Sequence, residues 1–137
     1  MAREEQVALL KQGPQAWNAW RREQPNAIVD LSAGALRGLN LAGADLSGAD
    51  MRDTDLRGTV LNGSNLAGAR LAGTNLFKAL LDGADLYKCD LSSAQFLHCG
   101  QLEVAQNWQS AYRDEGLACG AAIPVMADDN ADEPGPR

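Results

Sequence analysis

The sequence predicts a repeat solenoid, and three observations carry that reading. From Val29 to His98 a large apolar residue recurs every five positions, at Leu31, Leu36, Leu41, Leu46, Met51, Leu56, Leu61, Leu66, Leu71, Leu76, Leu81, Leu86, Leu91 and Phe96. These fourteen fives run without insertion or deletion. Around each centre the pattern is also fixed: usually a small residue two positions before it, Asp or Asn just before it in nine of the fourteen, and Gly two after it in eight. A period of five matches neither the 3.6 of a helix nor the 2.0 of a plain strand, so the repeat itself must be the structural unit.

The A(D/N)LxG form is clear in Ala44-Asp45-Leu46-Ser47-Gly48, and Ser64-Asn65-Leu66-Ala67-Gly68 keeps it with Ser in first place. It resembles the pentapeptide-repeat family, over about half the chain. The resemblance implies an all-β solenoid, a right-handed quadrilateral β-helix in which each five forms one face. Fourteen fives then give about three and a half coils. Sterics agree with such a coil, because its narrow interior asks each face for one large and one small inward residue. Inward Thr and Ser are expected to hydrogen-bond the backbone or one another. Gly at the corners is expected to take positive φ.

Residues 1–28 are read as an N-terminal helical cap. Residues 3–12 are good helix formers, and Gly13-Pro14 separates them from a second helix ending before Pro25. Trp17 and Trp20 fall on one side of that helix. A ligand pocket is the sharper reading of the pair; closing the open end of the stack is the one adopted, since a first coil otherwise exposes its Leu layer and strand edge. The repeat occupies 29–98. Residues 99–126 are assigned to a C-terminal capping helix and loop, with Leu102, Val104, Ala105, Trp108, Ala111 and Tyr112 at helical spacing up to Gly116. Residues 127–137 are read as a disordered acidic tail.

Four fives per coil place residues twenty apart in outward columns. One column reads Asp30, Asp50, Arg70, Asp90, the next Ala35, Asp55, Asn75, Gln95, and the third Asn40, Val60, Leu80. The third is apolar where the pattern asks for Asp or Asn. Val60 and Leu80, with Phe77 across a corner, therefore form the candidate interaction surface. The alternatives are cover by the C-terminal segment and ordinary scattered surface apolars. Trp108 and Tyr112 are candidate cap or dimer contacts.

Catalytic constellations are sparse. His98, the single histidine, falls at an exposed corner with no nucleophile forced beside it. Asp30 and Asp50, or Asp45 and Asp85, share faces on a convex surface where nothing desolvates them, so paired acid–base chemistry is not expected. The glycines recur every five and never form a phosphate loop. Cys89, Cys99 and Cys119 lack zinc-site spacing. They are read as reduced thiols in a cytoplasmic protein, with Cys89 a buried spacer. Neither a signal peptide nor a membrane span is expected.

Function is therefore expected to be non-catalytic, with no cofactor or metal: an interaction or scaffold module for an unidentified protein partner, with a homodimer also open. Direct nucleic-acid or membrane binding is not expected. The alternative is a DNA mimic that protects or inhibits a type II topoisomerase (gyrase), as some relatives do. The charge distribution weighs against it. Of the net −6, the repeat contributes only −2, and residues 99–137 contribute −5. A stack of about 17 Å would need roughly ten negative charges to imitate a duplex.

Overall fold

The computed structural model describes residues 2–126; the expected acidic tail, 127–137, lies outside the described residues. Parallel bridges join residues twenty apart through the whole repeat, from Asp30↔Asp50 and Ala35↔Asp55 to Arg70↔Asp90 and Asn75↔Gln95. Each turn of chain carries four such rungs, so the coil is four-sided and its faces are the columns read from the sequence. The first face carries Asp30, the second Ala35, the third Asn40 and the fourth Asp45.

The centres from Leu31 to Leu91 are all buried to 1 % exposure or less. Ala44, Ala49, Ala69, Ala79, Ala84 and Cys89 fill the small inward slots beside them. Large and small side chains thus alternate around a continuous apolar core, as close packing requires. The hydroxyls of Thr54, Thr59 and Thr74 donate to the carbonyls of Met51, Leu36 and Leu71 at 2.8–2.9 Å. Ser64 departs from that expectation: its buried Oγ has no partner. All eight corner glycines have φ between 65 and 74°, in the left-handed region. Ala33, Asp53, Lys78, Lys88 and Ser93 take the same conformation at their corners without being glycine.

The Asp or Asn before each centre has a local task. In all nine cases its Oδ1 accepts the backbone N–H two residues on, at 3.0–3.2 Å. This Asx turn supplies an acceptor to an amide that would otherwise face outward unpaired.

Two helices precede the repeat, α1 (Glu4–Lys11) and α2 (Pro14–Glu23). Pro14 opens α2, where a missing N–H is harmless. Both pack on the first coil through side-chain amides that stand in for an absent neighbouring rung. Gln6 donates to the Ile28 carbonyl and accepts the Asp30 N–H, both at 2.8 Å. Asn18 donates to the Gly43 carbonyl at 3.0 Å and accepts the Asp45 N–H at 2.7 Å. Trp17 is fully buried, and its indole N–H donates to the Asp45 carbonyl at 2.7 Å. Leu10 is equally buried.

At the far end three expectations are corrected. Phe96 is not the fourteenth inward centre: it is 57 % exposed with φ 59°, and Leu97 is buried in its place. The slip of one residue puts the smaller Leu in the narrow inward slot. It also explains Gln101 where a Leu was expected, because Leu102 now fills that slot. The helix expected over 102–116 is reduced to α3 (Cys99–Glu103) and two short 3-10 turns, Trp108–Ser110 and Glu115–Leu117. Between them the chain rejoins the ladder at Gln106, opposite Asp85, and at Tyr112, opposite Asp90. The last coil's amides decide this. Gly83, Leu86 and Leu91 donate to the carbonyls of Val104, Gln106 and Tyr112 at 2.9 Å, which a continuous helix could not offer.

The third correction concerns the thiols. Cys99 and Cys119 form a disulfide with Cα atoms 5.6 Å apart, so these two are not reduced. Three cysteines resolve as one pair and one spacer, because the segment after Cys99 follows the ladder through Gln106 and Tyr112 and then brings Cys119 back beside Cys99. Cys89 is free and buried, as expected of a spacer.

Candidate functional site

Two of the three residues of the candidate interaction surface gather at one corner. Phe77 is 45 % and Leu80 47 % exposed, flanking Lys78, while Val60 sits half-buried on the rung beneath Leu80. The slip at Phe96 adds a fourth member that the sequence pattern had assigned to the core. Its ring stands edge-on to Phe77 with centroids 5.6 Å apart. Lys78 lies over the Phe77 ring at 5.3 Å from its centre. Beside the corner runs a shallow groove of about 270 Å³ lined by Arg37, Arg57, Gly58, Phe77 and Lys78. The site is therefore apolar with a basic rim.

Its charges are partly committed. Arg57 binds Asp55 through Nε at 2.8 Å and Nη2 at 2.7 Å, and Arg52 binds Asp50 in the same fashion at 2.9 and 2.7 Å. Hydrogen bonding to the Arg57 guanidinium holds the Asp55 carboxyl down at about 2. Asp30 and Asp50 are also held below the usual carboxylate range, chiefly by side-chain hydrogen bonds from Ser32 and Arg52. At Asp45 burial opposes ionisation, but hydrogen bonds from Ser47 and the charge of Arg21 outweigh it.

Trp108 and Tyr112 are not on one helix. Tyr112 belongs to the ladder, and Trp108 begins a 3-10 turn. Next to Tyr112 in the chain, Arg113 is 5 % exposed and its guanidinium lies over the Trp108 ring at 5.1 Å. It donates to the carbonyls of Gln109, Ala111, Leu117, Ala118 and Ala122 at 2.8–3.2 Å. No motif or spacing in the sequence marks Arg113 for this organising role.

His98 is exposed and starts α3, its N–H donating to the Gln101 side chain at 3.0 Å. Burial pushes the Cys89 thiol far above its ordinary pKa, so its nucleophilic form is suppressed. Among the described residues no group of three or more His, Cys, Asp or Glu is placed to hold a metal ion. No described helix is long and apolar enough to cross a membrane.

What these features define is a four-sided repeat scaffold whose distinguishing residues lie on its surface. The chain belongs to the pentapeptide-repeat family: the model for pentapeptide repeats matches residues 29–63 and 64–99. Members of that family fold as right-handed quadrilateral β-helices. No curated protein matches the sequence. Among solved structures, the chain is similar to a pentapeptide repeat protein of the Arabidopsis thaliana thylakoid lumen, at 21 % identity over 75 % of this chain and 72 % of that one (TM-score 0.42). It is also similar to QnrB1, a plasmid-mediated fluoroquinolone resistance protein, at 19 % identity over 63 % of this chain and 45 % of that one (TM-score 0.40). A third is HetL of Nostoc sp. strain PCC 7120, involved in heterocyst differentiation regulation, at 28 % identity over 63 % and 39 % (TM-score 0.31).

Proposed function

We propose that the chain is a non-catalytic protein-interaction module. In this reading residues 29–98 are the scaffold, residues 1–28 cap its first coil, and residues 99–126 close its last. The Phe77–Leu80 corner then meets a protein partner, either a different protein or a second copy. The observation that carries the reading is the exposed cluster of Phe77, Leu80 and Phe96. The neighbouring outward columns are mostly Asp, Asn, Arg and Ser, and a preassembled aromatic pair offers rigid apolar area with little entropy left to lose. Cover by the C-terminal segment, the alternative weighed from sequence, is disfavoured by the exposure of both Phe77 and Leu80.

The reading needs no cofactor and no direct nucleic-acid or membrane contact. Gyrase-directed DNA mimicry is weaker, because Arg37, Arg52, Arg57 and Arg70 interrupt the acid columns and two of them are paired to Asp50 and Asp55. The cytoplasmic placement inferred from reduced thiols loses its support, since a disulfide is characteristic of oxidising compartments.

The test is light scattering and affinity capture with the wild type and with Phe77→Ser/Leu80→Asp. Self-association or a captured protein should be lost in the variant while its circular dichroism and melting temperature stay unchanged. If both proteins are monomers that capture the same set, the corner is not an interface.

A further inference from the structure

Within the stack, the residue before each centre both donates a backbone bond to the coil beneath it and accepts one from it. Asp55, for example, donates its N–H to the Gly34 carbonyl and accepts from the Leu36 N–H, both at 3.0 Å. The first coil has no coil beneath it, and its four faces meet that lack differently. On the first face Gln6 and the Arg3 N–H serve Asp30, at 2.8 and 2.9 Å. On the fourth face Asn18 and Trp17 serve Asp45, both at 2.7 Å. On the second and third faces the N–H and C=O of Ala35 and Asn40 have no protein partner among the described residues, and both residues are exposed. The helices thus leave a strand edge open on two adjoining faces.

Beside this edge, between it and α1, lies a groove of about 420 Å³ whose lining includes Val7, Ala8, Lys11, Ala33, Gly34 and Ala35, with Glu4 at its margin. Its floor is backbone at Gly34, where a β-carbon would come within 2.7 Å of the Leu31 carbonyl oxygen. Ala35 replaces the usual Asp or Asn, and this has a second effect. Arg52 and Arg57 are each held by an Asp two residues earlier, whereas Arg37 has only Ala35 there. Its guanidinium makes no hydrogen bond or ion pair among the described residues.

We propose that this edge accepts an extended peptide segment of a protein partner, which adds a rung beneath Ala35 on the second face. The segment's backbone pairs with the open N–H and C=O of Ala35. One apolar side chain, opposite Ala35, enters the groove, and a carboxylate two residues away, opposite Arg37 and pointing to the same side of the strand, meets its guanidinium. A helical peptide would satisfy its own backbone and leave the edge unused. A second whole solenoid is disfavoured because α1, about 10 Å across, flanks the place where a coil would have to approach within about 4.8 Å. This surface shares Arg37 with the rim of the Phe77 corner but uses none of that corner's apolar residues and does not depend on them.

The probe is a fluorescent, end-blocked peptide Thr-Thr-Val-Thr-Asp-Thr, whose Val and Asp lie two residues apart on one side of the strand, with binding followed by anisotropy and by amide hydrogen exchange in NMR. In the free protein the Ala35 and Asn40 amides should exchange fast while those of Asp55 and Val60, bonded to Gly34 and Leu39 carbonyls at 3.0 and 2.9 Å, are protected. Adding the peptide should slow the Ala35 amide at least about tenfold, and Arg37→Glu should weaken binding about tenfold. Phe77→Ser should leave it unchanged. The proposal is overturned if no binding occurs, or if binding leaves the Ala35 amide fast. A backbone N-methylated peptide that binds equally well, or equal affinity for the peptide with Lys in place of Asp, overturns it too.

Discussion

The Asp or Asn that precedes most centres is a structural acceptor first and a surface charge second. Its Oδ1 holds the amide two residues on, and for Asp50 and Asp55 the same carboxylate also binds an Arg. These bonds favour the ionised form, so the folded-state pKa values of Asp30, Asp45, Asp50 and Asp55 lie below the unfolded value of 3.8. The unfolded chain then binds protons more tightly. Stability from these groups is full above about pH 4 and is lost as pH falls toward the Asp55 value of about 2. Denaturant melts across that window should show the midpoint falling with acid, and Asp55→Asn should flatten the fall. A profile in Asp55→Asn identical to wild type would show that the Arg57 pair does not couple to folding.

Among the elements, the C-terminal segment rests on a covalent link and one cation. The disulfide closes a loop over a sequence separation of 20, and Arg113 gathers four carbonyls inside it and that of Ala122 just beyond it. By loop-closure entropy, Cys119→Ser should lower unfolding free energy by about 2–4 kcal/mol, read in denaturant titrations. An unchanged midpoint would place the segment's stability in Arg113 alone. Thiol labelling gives an independent check. The native oxidised protein should take up no alkylating reagent at Cys89, whose side chain is buried, and reduction should expose two reactive thiols but not the third.

For the whole molecule, a solenoid is as secure as its ends. At the first coil, Leu10 of α1 and Trp17 of α2 join the same buried core as Leu31, Leu36, Leu41 and Leu46, and the two helices serve the backbone on two of four faces. Removing residues 1–28 should therefore expose an apolar layer and a full strand edge together. Size-exclusion chromatography of residues 29–137 should show aggregates, where the full chain elutes as a discrete species. A well-behaved truncated protein would mean that the repeat closes itself without the helices.

Regularity made most of this fold legible. Inward Leu and Ala, outward columns twenty apart and glycine corners all follow from a strict five-residue period, since each position meets the same surroundings in every coil, and the two leading helices follow from helix formers divided by Gly13-Pro14. Irregular positions were harder to read. Phe96 keeps the period but is turned outward, because a one-residue slip lets Leu97 fill the narrow slot. Residues 102–112 keep a helical spacing of apolars but join the ladder, because the last coil's amides needed acceptors more than the segment needed a helix.

The sequence by itself determined the repeat, its coil periodicity and the family. Local pattern suffices where neighbours are copies of one another. Tertiary structure alone decided the ends: the Cys99–Cys119 link, the burial of Arg113, the Phe77–Phe96 pair and the open edge at Ala35 and Asn40. Each depends on which distant segment reaches an unpaired group or an unfilled slot, and no period in the chain encodes that meeting.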